Sequence, residues 1–342
     1  MYIRIEMLYI NALYICEKSK LTEVINMKST KGSKISVLGA GNVGATIAYT
    51  FAVYGTCSDV VLVDINEAKA KGEAMDISQG ISFAHDIDVT DGTYDDIAGS
   101  DIVVVTLGMG RKPGQSRLDL MQNNVNIIKQ VMPNVAKIAP DAIYVVVSNP
   151  VDIITYAILK CTDLKPNQIV GSGTTLDTAR LRSAIAEKAN ISPQSIHAYV
   201  FGEHGDSSFV PWSTTNIGGM DMFEYWRSIG RKPEELDTDE IENMVRTAGG
   251  EVIKRKGATF YAIALSVNKI CETIIRGSNS ILTVSTLANG RYGIDDVCLS
   301  LPCVVNGQGI VGEITPPLLD TELEKLHKSA DTLKEFISKI EF

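Results

Sequence analysis

Apolar runs and helical stretches alternate along the chain between Lys34 and Pro150. Continuous runs rich in β-branched residues are typical of strands buried on both faces, and they occupy residues 35–38, 59–64, 101–107 and 142–147. Apolar residues recur at helical spacing in 42–54, 67–77 and 118–138. Buried strands separated by helices predict an α/β domain with a doubly wound parallel sheet over residues 34–150.

The pattern becomes mixed after Pro150. Helices are predicted at 151–160, 175–189, 237–256, 260–275 and 320–340, and strands at 281–288 and 298–306. This arrangement predicts a second, α+β domain over residues 151–342. Residues 1–33 precede the first strand and mix apolar residues with Arg4 and Glu6, so we expect an N-terminal extension outside the fold.

A glycine-rich turn, GAGNVG, joins the first predicted strand to the first helix. In such a turn Gly39 permits the tight bend, Gly41 lets a pyrophosphate approach the backbone, and Gly44 lets helix and strand pack closely. The helix start at Asn42 and Val43 offers free N–H groups to the phosphates. The motif in this context predicts a Rossmann-type dinucleotide-binding domain.

The second predicted strand ends in Asp64. A carboxylate at that position accepts hydrogen bonds from the ribose hydroxyls of NAD and repels the extra phosphate of NADP. The alternative is a capping role at the start of helix 67–77. Because the motif, its context and the acid agree, the sequence predicts NAD as the cofactor.

Three residues in the second half suit hydride transfer to a 2-oxo acid, which needs a proton donor and a cation for the carboxylate. His204, in the Gly-rich loop 202–206, titrates near neutrality. Asp177 begins a helix and can hold the imidazole, and Arg180 lies one turn later with a planar fork for a carboxylate. The structural alternatives are a surface histidine for His204, a favourable charge at the helix start for Asp177, and a surface ion pair with Asp177 for Arg180.

Two further candidates lie in the first half. Arg117 ends a polar stretch, 110–117, which predicts a mobile lid from which the guanidinium polarises the substrate carbonyl. Asn149 ends a buried strand, at the sheet edge where such folds bind ligands. The alternatives are a solvated loop charge for Arg117 and a turn residue before proline for Asn149.

Composition argues against several partners. The chain has 32 basic and 41 acidic residues and a net charge of −9, which disfavours binding to nucleic acid or an anionic membrane surface. It has no apolar run of the roughly 18 residues that a membrane span needs. The six cysteines and four histidines are scattered, so the sequence predicts no metal site and reduced thiols in the cytoplasm.

Residues 34–340 resemble the L-lactate/malate dehydrogenase family. The matching segments are GAGNVG (39–44), RKPGQSRLDL (111–120), VSNPVD (147–152), GSGTTLDTARLR (171–182), GEHGD (202–206), KGAT (256–259) and LSLPCVVNGQGI (299–310). The resemblance implies that His204 exchanges the proton, Asp177 orients it, Arg180 binds the carboxylate and Arg117 polarises the carbonyl.

The resemblance also implies that Asn149 contacts both cofactor and substrate, that Asn124 contacts the cofactor and that Asp64 holds the adenine ribose. It implies a homotetramer. A catalytically inactive NADH-binding regulator is a more distant alternative, because such a protein would not need the four catalytic positions.

The signals for the substrate conflict. Arg111 stands where malate enzymes of the family carry an arginine for the second carboxylate, and it disfavours branched or aromatic side groups. GEHGD and Thr259 resemble the lactate branch. Arg182 and His197 match the pair that binds fructose 1,6-bisphosphate in bacterial lactate enzymes. The balance favours pyruvate and L-lactate, with oxaloacetate and L-malate as the alternative.

Overall fold

One nine-stranded sheet organises the chain between Lys34 and Phe342, which form one compact unit. The structure is a computed structural model and describes residues 32–110 and 116–342. Most of the predicted N-terminal extension, and Arg111 in the predicted lid, therefore lie outside the described residues.

The strands are β1 (Lys34–Leu38), β2 (Asp59–Val63), β3 (Asp88–Gly92), β4 (Ile102–Val105), β5 (Ile143–Val146), β6 (Ile169–Gly171), β7 (Ile196–His197), β8 (Asn216–Ile217), β9 (Met220–Asp221), β10 (Ser280–Asn289), β11 (Asp295–Asn306) and β12 (Gly309–Glu313). The helices are α1 (Asn42–Tyr54), α2 (Glu67–Gln79), α3 (Arg117–Ile138), α4 (Val151–Cys161), α5 (Thr175–Ala189), α6 (Met222–Ser228), α7 (Thr238–Lys256), α8 (Tyr261–Arg276) and α9 (Asp320–Ile337). Short 3₁₀ turns connect several of them.

The large sheet confirms the predicted fold class. Its parallel part has the order β3-β2-β1-β4-β5-β6, which is the doubly wound, Rossmann-type order. The antiparallel strands β10, β11 and β12 continue the same sheet beyond β6. The order reverses between β1 and β4, and ligands bind at such a switch point, outside the carboxyl ends of the strands.

The continuous apolar strands are buried on both faces, as the sequence predicts. Leu38, Val103 and Val105 belong to the core on one side of the sheet, and Val37 and Val104 belong to the core on the other. Burying a side chain of this size stabilises the fold by about 1.5–3 kcal/mol. Because both faces are covered by helices, the site has to lie at the strand ends.

Most predicted elements match the observed ones to within a few residues, whereas two strands of the parallel sheet were missed. Strand β3 has the sequence DVTDG and buries only Val89, because it lies at the edge of the sheet. Strand β6 has three residues, too few for a periodic signal. Since β6 pairs with β5, the parallel sheet extends beyond residue 150, and the predicted domain boundary there stays a prediction.

Two observations concern the membrane span and the metal site that the sequence analysis disfavours. Within residues 32–110 and 116–342, no helix is both long and apolar enough to span a bilayer. The five cysteines in this part of the chain carry free thiols, and its His, Cys, Asp and Glu side chains form no cluster of three that could hold a metal ion.

Candidate active site

The three glycines of the turn between β1 and α1 differ in the contacts that a Cβ atom would make at each position. Gly39 has a φ of +103°, and a Cβ there would lie 2.7 Å from Thr106 Oγ1. A Cβ on Gly44 would overlap the carbonyl oxygen of Gly39, so this glycine lets α1 pack against β1. A Cβ on Gly41 meets no atom within 4 Å. Open space at Gly41 is what the approach of a pyrophosphate requires.

The start of α1 and the end of β2 complete this turn. No side chain caps α1, and Asn42 is exposed and Val43 half-buried at its open end. Asp64 accepts hydrogen bonds from the backbone N–H groups of Ala40 (2.6 Å) and Asn66 (2.9 Å), while Asn66 provides the cap of α2. The acid therefore lies against the glycine turn, and the residues present fit a dinucleotide with its pyrophosphate at the helix start and its ribose at Asp64.

A cavity of about 590 Å³ opens at the carboxyl ends of β4, β5 and β6. The predicted site residues that line it are Val43, Asn124, Asn149, Asp177, Arg180, His204 and Thr259. The fold thus brings together residues separated by up to 216 positions, from Val43 to Thr259. Its position at the strand ends is the one expected for a ligand site in this fold.

Three charged side chains form the centre of this cavity. Asp177 Oδ2 lies 2.5 Å from His204 Nδ1, and Asp177 Oδ1 accepts a hydrogen bond from Arg180 Nη1 at 2.7 Å. The carboxylate side chain is 8% exposed, against 31% for His204 and 19% for Arg180. Because Asp177 holds Nδ1, the Nε2 atom of His204 is left for a ligand in the cavity.

The charges around His204 and Asp177 shift the pKa values of both groups. Burial alone would lower the pKa of His204, but the Asp177 carboxylate outweighs it and the net pKa is raised. Burial favours the neutral form of Asp177, yet His204 and Arg180 together lower its pKa. His204 is therefore held in a state that can donate a proton near neutral pH.

The loop that carries His204 is anchored at several points. Gly202 exchanges backbone hydrogen bonds with Ser300 of β11, and Phe201 pairs with Phe209. The N–H of His204 itself donates to Asp152 Oδ2 at 2.8 Å. These contacts fix the backbone on both sides of the imidazole, so its position does not depend on Asp177 alone.

Asp152 is a functional residue that the sequence reasoning missed. It is 2% exposed, and its other oxygen accepts the Ser285 hydroxyl at 2.6 Å, which joins α4, β10 and the His204 loop. Burial raises its pKa to about 6, against the hydrogen bonds from Ser285 and His204. In the sequence Asp152 resembles an ordinary helix-start acid, and no local signal links it to Ser285.

Arg117 lies outside the cavity. It is the first residue of α3, and its guanidinium is 3.0 Å from Glu203 Oε1 and 3.4 Å from Asp206 Oδ2, with the Phe336 ring at 5.0 Å. Glu203 is 3% exposed and also accepts the Ser207 hydroxyl, so it is a second buried carboxylate that the sequence reasoning missed. Arg117 therefore lies next to the His204 loop without lining the cavity.

The two asparagines hold the strand ends together. The amide of Asn124 donates to the Asn149 carbonyl at 2.8 Å and accepts from the Met109 N–H at 2.9 Å. Asn124 is buried, whereas the Asn149 side chain is exposed at the cavity. Both asparagines line the cavity, but the two amide atoms of Asn124 are already hydrogen-bonded within the protein, whereas the Asn149 side chain is open to the cavity.

The predicted effector residues lie on another part of the chain. Arg182 Nε donates to the Ala198 carbonyl at 3.0 Å, and its guanidinium lies 5.1 Å from the Tyr199 ring centroid. His197 immediately precedes Ala198 and is exposed. Arg182 therefore contacts the backbone one residue beyond His197, and neither side chain lines the cavity.

Comparison with known proteins identifies both halves of the chain. Residues 33–171 match the family model of the lactate/malate dehydrogenase NAD binding domain, and residues 174–342 match that of the lactate/malate dehydrogenase alpha/beta C-terminal domain. L-Lactate dehydrogenase of Acetivibrio thermocellus is 44% identical over 308 residues, 90% of this chain and 97% of the relative. L-Lactate dehydrogenase 1 of Clostridium acetobutylicum is 46% identical over 310 residues, 91% and 99% of the two chains.

Solved structures show the same likeness. A lactate dehydrogenase from a Medee basin deep-sea metagenome library has a TM-score of 0.87 at 38% identity, covering 90% of this chain and 98% of that one. The minor L-lactate dehydrogenase of Enterococcus mundtii has a TM-score of 0.87 at 37% identity, covering 91% and 99%.

Alanine substitutions at Gly44 and Gly41 should affect different properties, the first stability and the second NADH binding. Gly44→Ala should lower the free energy of unfolding by about 1–3 kcal/mol, because its Cβ overlaps the turn backbone. Gly41→Ala has room for its Cβ and should fold normally, while NADH binding weakens because the methyl group occupies the phosphate position. Thermal denaturation and NADH fluorescence titration measure the two effects. Unchanged NADH affinity in Gly41→Ala would show that the turn does not hold the pyrophosphate.

Asp152 yields a second prediction. Asp152→Ala leaves the Ser285 hydroxyl and the His204 N–H without their acceptor, and each buried unpaired donor costs about 1–3 kcal/mol. We expect lower stability in denaturant titrations and lower kcat. Asp152→Asn keeps one acceptor oxygen, so its stability and its kcat should lie between those of the wild type and those of Asp152→Ala. Asp163→Ala, at an exposed carboxylate just beyond α4, is the control. Equal stability of the Asp152 and Asp163 alanine variants would contradict this role.

Proposed function

This chain belongs to the lactate/malate dehydrogenase family, and from that premise we propose that it is an NAD-dependent L-lactate dehydrogenase, which interconverts pyruvate and L-lactate. The observation that carries the proposal is the His204–Asp177–Arg180 cluster inside the cavity at the strand ends. It combines a proton donor with a cation for a carboxylate. The similarity to L-lactate dehydrogenases supports pyruvate as the substrate.

The matched N-terminal domain binds NAD, whose reduced form, NADH, would supply the hydride when held by the Gly39–Gly44 turn and Asp64. Arg180 uses Nη1 for Asp177, and its remaining N–H groups bind the substrate carboxylate. His204 donates its Nε2 proton to the carbonyl oxygen as C2 is reduced. Asp177 stabilises the imidazolium before this transfer and keeps the ring oriented after it.

Arg117 acts on the carbonyl in this proposal. Its guanidinium is bound to Glu203 and Asp206, on either side of His204 in the chain. To polarise the carbonyl it has to exchange at least one of these partners for the substrate. Asn149, exposed at the cavity, supplies a further hydrogen bond to substrate and cofactor.

Two finer features of the function are also proposals. Arg111 is the reason to retain malate dehydrogenase as the alternative, because its guanidinium suits a second carboxylate. Arg182 and His197 are proposed to bind fructose 1,6-bisphosphate as an effector. Their support is the match to the family's effector pair, together with the hydrogen bond from Arg182 to the residue after His197.

Self-association is proposed from the surface of α1 and α8. Large apolar side chains are exposed there: Tyr49, Val53, Tyr54, Tyr261 and Leu265. Contiguous exposed apolar surface marks a protein interface, which supports a homo-oligomer, and we propose a homotetramer. The free cysteines of the described residues support a location in the cytoplasm.

The His204–Asp177 pair predicts the pH dependence of pyruvate reduction. Reduction needs protonated His204, so kcat/KM should be maximal at low pH and fall as pH rises through the raised pKa, above 6.5. Asp177→Asn removes the carboxylate that raises this pKa, so the decline should move to lower pH. His204→Asn should retain NADH binding and lose about 10²–10⁴-fold in kcat. Retained turnover in His204→Asn would remove it as the proton donor.

Initial rates with pyruvate and oxaloacetate test the substrate. We expect pyruvate to be preferred and its rate to rise with fructose 1,6-bisphosphate in the wild type but not in Arg182→Ala. Arg111→Gln should reduce any residual oxaloacetate activity more than pyruvate activity. A preference for oxaloacetate of about 100-fold, or 2.7 kcal/mol, would instead identify a malate dehydrogenase.

A further inference from the structure

The carboxylate of Glu203 folds back against its own loop. Its Oε2 atom accepts hydrogen bonds from the Ser207 hydroxyl at 2.6 Å and from the Ser207 backbone N–H at 3.4 Å. A Cβ on Gly205 would lie 2.6 Å from Glu203 Oε1, so this glycine leaves the room that the carboxylate occupies. His204, the residue between them, lines the cavity, whereas Glu203 does not. Two consecutive residues of the loop therefore have different surroundings.

Helix α9 (Asp320–Ile337) fixes this loop from the side of the protein interior. The fully buried Ser329 hydroxyl accepts the Glu203 backbone N–H at 2.8 Å and lies 3.0 Å from the Ser207 hydroxyl. A Cβ on Gly202 would lie 2.5 Å from Ser329 Oγ, so the loop and the helix are in close contact. The hydroxyls fit one chain of hydrogen bonds, in which Ser329 donates to Ser207 and Ser207 donates to the Glu203 carboxylate.

The same helix also contacts Arg117. Phe336 follows Ser329 by seven residues, which is about two turns, so the two side chains share one face of α9. The guanidinium of Arg117 lies 5.0 Å from the Phe336 ring centroid, within the range of a cation–π contact. Its Nη2 atom lies 3.0 Å from Glu203 Oε1. Arg117 therefore contacts both a ring of α9 and a carboxylate that α9 helps to hold.

The two carboxylates that pair with Arg117 differ in burial. The Asp206 side chain is 95% exposed and its Oδ2 atom is 3.4 Å from Arg117, and exposed pairs of this kind contribute little. The Glu203 side chain is 4% exposed, and a buried carboxylate is costly to leave without its cation. The position of the guanidinium therefore depends on Glu203 much more than on Asp206.

We propose that Glu203 is a positioning residue, which holds the Arg117 guanidinium next to the His204 loop before the substrate binds. The inference rests on the proposed function, in which Arg117 polarises the substrate carbonyl. Glu203 touches neither substrate nor cofactor in this role. Because it directly precedes His204, it ties the carbonyl-polarising cation to the residue next to the proton donor.

The test is a double-mutant cycle on pyruvate reduction, with Glu203→Gln, Arg117→Ala and both changes together. Glutamine keeps an oxygen that can accept from Ser207 but removes the charge that holds Arg117. We expect Glu203→Gln to lower kcat by about 10–100-fold, the cost of misplacing a group by about 1 Å. KM should stay within about threefold, because Arg180 still binds the carboxylate. In the Arg117→Ala background the same change should lower kcat by less than about twofold.

The pH profile separates this role from an effect on the proton donor. Burial lowers the pKa of His204, and the carboxylates of Asp177 and Asp152 raise it. Glu203→Gln should therefore leave the decline of kcat/KM at the same pH as in the wild type, unlike Asp177→Asn. A decline that moves with Glu203→Gln would show that Glu203 acts through His204, and it would overturn the proposal.

Glu335→Gln is the matched control. It makes the same chemical change at an exposed carboxylate of α9, which pairs with Lys339, and should leave kcat unchanged. Asp206→Asn should cost less than Glu203→Gln, since Asp206 is exposed. Glu203→Asp keeps the charge but withdraws it from Arg117 by one methylene, and it replaces Glu203→Gln in the cycle if that variant does not fold.

Two kinetic results would count against the inference. An unchanged kcat in Glu203→Gln, or an equal loss with and without Arg117, would overturn the positioning role while leaving the dehydrogenase proposal intact. A wild type that is inactive with both pyruvate and oxaloacetate would overturn the proposed function and the positioning role together.

Discussion

The carboxylate of Asp177 is the constraint on which the site depends. A buried charge is stable only when it is paired and hydrogen-bonded, and Asp177 meets this requirement with one oxygen on His204 and the other on Arg180. The proton donor and the carboxylate-binding cation are therefore held by the same group.

Two further buried carboxylates near His204 are also stabilised by hydrogen-bond partners. Asp152 and Glu203 are both nearly fully buried, and each is satisfied by donors from distant parts of the chain. The three carboxylates are offset by the positive charges of Arg180 and Arg117 and by protonated His204.

Helix α7 forms a further wall of the cavity, beside Arg180. The charge of Arg246 in this wall is paired with the buried carboxylate of Glu242, so it is balanced within the protein.

Local sequence patterns were enough to predict the buried strands, the glycine turn and the candidate site residues Asp64, Asp177, Arg180 and His204. Each of these leaves a local signal, either an apolar period or a motif at fixed spacing. The edge strand β3 and the three-residue strand β6 leave none, because one is polar and the other too short.

The remaining features depend on contacts that form only in the folded chain. Asp152 meets Ser285 across 133 positions, Glu203 meets Arg117 across 86, and Gly249 borders Arg180. These contacts arise because the sheet brings the ends of distant strands to one edge and places a helix across the cavity. A local sequence pattern does not predict these contacts, because the partner of a buried charge is defined only once the chain has folded.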